Sequence, residues 1–108
     1  MSEEKLSDKV LGQRLAGLPG WQLKGHGDKQ VLVRELKFAD FAGALKFVNQ
    51  MGAEAEKAGY HPDIDIRYNQ VRLALVTHDA HGITQKDIAL AQVVESLVAA
   101  ELNTVVLG

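Results

Sequence analysis

Apolar positions recur along this chain with two periods, and the switches between them predict its elements. From Ser7, an N-cap residue, Val10, Leu11, Arg14, Leu15 and Leu18 keep helical spacing until Gly17 and Leu18-Pro19-Gly20 break it. Trp21-Gln22-Leu23 reads as extended and Lys24 to Lys29, with Gly25 and Gly27, as a turn. Gln30 to Lys37 alternates, so the region is expected to be a hairpin. Asp40 then caps a long helix whose stripe is Phe41, Ala44, Leu45, Val48, Met51 and Ala55, with Gly59 at its C-terminal end. Glu56 falls at the edge of that stripe, and Phe47 lies beyond it.

After Tyr60-His61-Pro62 the pattern returns to period two. Ile64, Ile66 and Tyr68 alternate with charges, Asn69-Gln70 is expected to turn, and Val71 to His78 forms the return strand. The last helix opens with Thr84 as cap, Asp87 at its third position and Ile83 with Ile88 as a staple pair. Ile88, Ala91, Val94, Val98 and Leu102 form its inner stripe. The order α-β-β-α-β-β-α predicts an α+β fold, a four-stranded antiparallel sheet with three helices packed on one face.

Length and composition narrow the class. At 108 residues and 46% hydrophobic content, one domain over residues 1–108 is expected. The absence of cysteine excludes disulfides, thiolate zinc sites and cysteine nucleophiles, and it fits a cytoplasmic location. No apolar run reaches the roughly 20 residues of a membrane span, and the polar, acidic start does not read as a signal peptide. The formal charge of −2 is spread along the chain, so direct nucleic-acid binding is not expected.

The chemistry therefore falls to His, Asp and Glu. His26 sits in a Gly-rich turn and reads as solvated. His61 follows a helix C-terminus and is held extended by Pro62, while His78 is expected at a strand end. If the second hairpin forms, both histidines lie at one end of it, with Glu56 able to join them from the helix. Two imidazoles and a carboxylate suit proton transfer near pH 7. Histidines placed at loop junctions for no catalytic reason would give the same pattern, and spacing alone does not decide. A facial triad of two histidines with Asp63, Asp65 or Asp79 is the metal alternative, but no HExxH or HxH pair supports it. There is no GxSxG elbow, Walker A loop or GxGxxG.

The run Glu56-Lys57-Ala58-Gly59-Tyr60-His61-Pro62, with Tyr68, Thr77-His78, Gly82-Ile83-Thr84 and Asp87, resembles the pterin-4a-carbinolamine dehydratase family. Pro62, Tyr68, His78 and Asp87 keep that family's spacing. Gly20-Trp21, Phe38-Ala39-Asp40-Phe41 and Ala89-Leu90-Ala91 extend the likeness over nearly the whole chain. The resemblance implies dehydration of 4a-hydroxytetrahydropterin to quinonoid dihydropterin in tetrahydrobiopterin recycling, without metal or other cofactor, by a homodimer or homotetramer. It implies His61 and His78 as acid and base and Glu56 as the group that orients or charge-tunes an imidazole. Gly59, Tyr60, Thr77 and Asp79 would line the pocket for the reduced pterin. One departure stands out: Tyr60 occupies the place of the first histidine of the paired motif, and a phenol is a poor base at pH 7. His81 also stands where many relatives carry a small residue, and reads either as crowding the pocket mouth or as a third imidazole. A second expectation, also from the family, is a catalytically weak or inactive protein-binding module of the Rubisco-assembly or transcriptional-coactivator type. Phe47 would be its exposed apolar contact, or else be buried between copies of the chain.

Overall fold

A computed structural model describes residues 4–100 and, as backbone, 105–107. Helix α1 (Asp8–Leu15) starts where Ser7 Oγ accepts from the Val10 amide at 3.2 Å. Strands β1 (Trp21–Lys24) and β2 (Val31–Phe38) flank a short 3-10 turn at Gly27–Lys29, and helix α2 (Phe41–Lys57) follows, with Asp40 Oδ1 accepting from the Gly43 amide at 2.8 Å. Strands β3 (Asp63–Arg67) and β4 (Gln70–Leu75) form the second hairpin, and helix α3 (Gln85–Ala100) closes the predicted order. The sheet runs β1-β2-β4-β3 with antiparallel neighbours throughout. The α+β fold is thus the expected one.

One strand was not anticipated. Residues Val105–Leu107 form β5, which pairs with the end of β2 through Leu36↔Leu107 and Phe38↔Val105. Three residues are too few to show a period, and their edge comes only from the folded sheet. The expected inner position Leu102 lies outside the described residues.

The core forms on the helix-covered face. Leu32, Leu36 and Phe38 from β2 and Val71, Leu73 and Leu75 from β4 meet Leu11 of α1, Ala44, Phe47, Met51 and Ala55 of α2, and Ile88, Ala91, Val94 and Val98 of α3. Phe47 corrects the expectation made for it. It is buried, and its ring lies 5.2 Å from that of Phe38. Only two residues separate Phe38 from α2, and the ring contact puts Phe47 on the buried face with Ala44, Met51 and Ala55. Phe41 and Leu45, expected inside, are consequently exposed.

The second hairpin also shifts by one residue. Arg67 pairs with Gln70, so Tyr68-Asn69 is the two-residue turn, not Asn69-Gln70. Tyr68 adopts φ +54°, and Asn69 is fixed by bonds to Phe38: its Nδ2 donates to the Phe38 carbonyl at 2.9 Å. Asn69 thus ties the turn to the end of β2, a contact that no local pattern announces.

Candidate active site

The site is built where three segments of chain converge, starting at the end of α2. Ala58 caps the helix and Gly59 follows at φ +66°, a left-handed conformation that costs a residue with a Cβ roughly 1–2 kcal/mol. This reversal brings the next two residues back past the last turn, with the Tyr60 amide bonded to the Ala55 carbonyl at 3.0 Å. His61 Nε2 then lies 3.0 Å from Glu56 Oε1. Both side chains of that pair are 74% exposed, so the contact orients the ring more than it stabilises the fold.

Tyr60 points inward instead. Its hydroxyl lies 3.2 Å from the Val76 carbonyl and makes a short hydrogen bond to Asp87 Oδ1. Burial, and then the hydrogen bond to Asp87 with the charges of Asp87 and Asp63, push the phenol's pKa far above its ordinary value. Tyr60 is therefore a donor at any working pH and does no base chemistry.

Asp87 is fully buried. Its Oδ2 accepts from Thr77 Oγ1 and from the Thr84 amide, each at 2.8 Å, and the Thr77 and Thr84 hydroxyls lie 2.7 Å apart. The Lys86 amide donates to Thr84 Oγ1 at 3.2 Å, so the expected cap of α3 is formed, with Ile83 and Ile88 buried on either side. The capping carboxylate thus serves two further segments of chain, something no local pattern signals.

His78 is not at a strand end. Strand β4 stops at Leu75, Thr77 makes an isolated bridge to Gly82, and His78–Ala80 is a 3-10 turn closed by His81 at φ +59°. The chain leaves the sheet here because it must cross to α3, and the Thr77–Gly82 bridge ties off that crossing. His78, Asp79 and His81 are exposed. The structure therefore joins Glu56 to His61 directly, and it brings the residues before His61 and His78 to one carboxylate. No hydrogen bond links the His61 and His78 rings among the described residues. Asp87, the residue that organises the corner, carried a motif spacing and a capping position in the sequence but no assigned role at the site.

Among the described residues no group of three or more His, Asp or Glu side chains converges as metal ligands. No described helix is long and apolar enough to cross a membrane. A concavity of about 370 Å³ lies elsewhere, on the open face of the sheet, between Glu35, Lys37, Asp65, Arg67, Gln70 and Arg72. Asp65, a carboxylate of the metal alternative, is in its lining, but Glu56, Gly59, Tyr60, His61, Thr77, His78 and Asp79 are not.

Comparisons with known proteins bear on the fold and the family. A protein of Acidobacterium capsulatum provisionally named a pterin-4-alpha-carbinolamine dehydratase is 50% identical over 93 residues, 86% of this chain and 97% of that one. One of Chloroflexus aurantiacus with the same provisional name is 46% identical over 86% of this chain and 96% of its own length. The crystal structure of a transcriptional coactivator/pterin dehydratase from Brucella melitensis superimposes with a TM-score of 0.81 at 32% identity, covering 87% of this chain and 98% of that one. A pterin dehydratase-like protein described as a RuBisCO assembly factor of the alpha-carboxysome shares the fold alone, at 23% identity and a TM-score of 0.62 over 72% of this chain and 88% of that one. With residues 4–97 also matching the pterin 4 alpha carbinolamine dehydratase family model, this chain belongs to that family.

Proposed function

We propose that this protein dehydrates 4a-hydroxytetrahydropterin to quinonoid dihydropterin, with His61 and His78 as its proton-transfer groups. The reaction breaks the C4a–O bond as a proton reaches the departing hydroxyl, and N5 loses its proton as the C=N bond forms, releasing water. One acid and one base suffice, and imidazole is the side chain suited to either role at neutral pH. The observation that carries this reading is the His61–Glu56 contact at 3.0 Å beside the buried Tyr60–Asp87–Thr77 junction. Glu56 turns one imidazole, and the junction fixes the backbone from which both project. In this reading Gly59, Tyr60, Thr77 and Asp79 are the residues that would line the approach of the pterin, with the Tyr60 hydroxyl committed to Asp87.

Within this reading the enzyme works in the cytoplasm as a homodimer or homotetramer in tetrahydrobiopterin recycling. The test is stopped-flow dehydration of synthetic 4a-hydroxytetrahydropterin. His61→Ala and His78→Ala are each expected to lower the rate by about 10²–10⁴-fold, and a wild-type rate equal to that in buffer rejects the assignment. Tyr60→His serves as a gain test.

A second reading, a protein-binding module, rests on the exposed Phe41 and Leu45, one turn apart on α2. A dehydration rate recovered only on Tyr60→His, with wild type inert, favours it.

A further inference from the structure

We propose that Asp87 is the positioning residue for both histidines, a role that rests on the dehydratase reading and deepens it. The two oxygens of its carboxylate are divided between the two segments. Oδ1 takes the hydroxyl of Tyr60, the residue immediately before His61, and Oδ2 takes the hydroxyl of Thr77, the residue immediately before His78. Each imidazole is one planar peptide unit away from a side chain anchored on the same group. Pro62 restricts the far side of His61, and the Thr77–Gly82 bridge restricts the far side of His78. Asp87 is itself held by the Thr84 amide and by its place in the first turn of α3, packed between buried residues, so it is a fixed reference point.

The way this carboxylate is satisfied argues that it does more than cap a helix. Capping requires only the Thr84 amide, which a solvent-exposed side chain serves as well. Here the carboxylate is fully buried, and every partner it has among the described residues is a hydroxyl or an amide, with no cation. Burying an anion on neutral donors alone is expensive. The arrangement returns a fixed spacing between two stretches of chain, each of which delivers an imidazole.

The experiment reads each ring separately. In protein labelled with 15N-histidine, NMR order parameters of the His61 and His78 rings are measured for wild type, Tyr60→Phe, Thr77→Val and Asp87→Asn, beside kcat and KM for dehydration. A crossed pattern is expected: Tyr60→Phe loosens the His61 ring and leaves His78, Thr77→Val does the reverse, and Asp87→Asn loosens both. Asp87→Asn is expected to lower kcat about tenfold with KM changed less than twofold, since misplacement of catalytic groups acts on the reacting geometry. Adding Tyr60→Phe to Asp87→Asn should lower kcat no further, because the two act through one bond. Rings as ordered in folded Asp87→Asn as in wild type overturn the proposal, as does loosening of both rings alike in Tyr60→Phe and Thr77→Val, which marks general destabilisation. Should Asp87→Asn fail to fold, the crossed pattern of the two hydroxyl variants decides. A wild type inert toward the carbinolamine removes the dehydratase reading, while the ring measurements still judge Asp87.

Discussion

Helix α3 carries two carboxylates about two turns apart, Asp87 and Glu95, which tie the helix to other segments of the chain by opposite means. Glu95 faces a guanidinium: Arg34 Nε and Nη2 donate to its two oxygens at 3.1 and 3.4 Å, and Trp21 Nε1 donates at 3.0 Å. Arg34 is nearly buried, and Glu95 keeps 27% of its side chain in solvent. Gly20 completes the clip, because a Cβ there would stand 2.2 Å from the guanidinium. Asp87 sits deeper and has only dipoles around it. The Glu95 cluster holds β1 and β2 against α3 and adjoins none of the expected site residues. The Asp87 cluster holds the two histidine-bearing segments. A paired charge at the rim is a fastener, whereas an unpaired charge in the interior is retained where geometry depends on it.

The largest effect is expected at the fastener. Arg34→Ala leaves the Glu95 carboxylate without its cation, held by Trp21 Nε1 alone of these donors, and should cost about 3 kcal/mol in urea unfolding, the lower end for breaking a buried pair, since Glu95 retains some solvent. Replacing both members, Arg34→Met with Glu95→Leu, should recover most of that loss. A double variant as unstable as the single one would mean that the pair contributes more than mutual neutralisation.

The Asp87 cluster should respond to alkali. The folded-state pKa of Tyr60 lies above its unfolded value of about 10, so its contribution to stability is complete below that pH and fades as pH rises beyond it. Tyr60→Phe should cost about 2 kcal/mol at neutral pH, the scale of a hydrogen bond to a charged group, and flatten the alkaline limb of the stability curve, read by thermal melts between pH 8 and 11. An alkaline limb of unchanged steepness in the variant breaks the assignment.

The smallest stability effect is expected at Glu56→Gln. With both partners 74% exposed, the His61 contact should contribute less than about 1 kcal/mol to the fold. Its effect belongs to the reaction: the dehydration rate should fall about tenfold with the melting temperature nearly unmoved. A rate equal to wild type removes Glu56 from the site.

Much of the site was legible residue by residue. Gly59 after a helix, Pro62 after His61 and Glu56 on the helix's last turn together predict a carboxylate beside an imidazole, because a helix end fixes where the next few residues go. The inner stripe of α3 and the Thr84 cap were legible for the same reason. Phe47 was not: periodicity allows two overlapping stripes on α2, and the choice fell to Phe38 across the core. The turn at Tyr68-Asn69 escaped because a one-residue slip leaves the alternation of either strand intact.

The sequence alone determined the order of elements, their caps and the family to which the chain belongs, because these depend on residues within one or two turns of each other and on fixed spacings. The tertiary structure alone decided which face of α2 is buried, where β5 adds its edge and which partners the two carboxylates of α3 receive. Those outcomes depend on contacts between side chains far apart in the chain, such as Tyr60 with Asp87 and Arg34 with Glu95, and such contacts exist only once the sheet has brought the segments together.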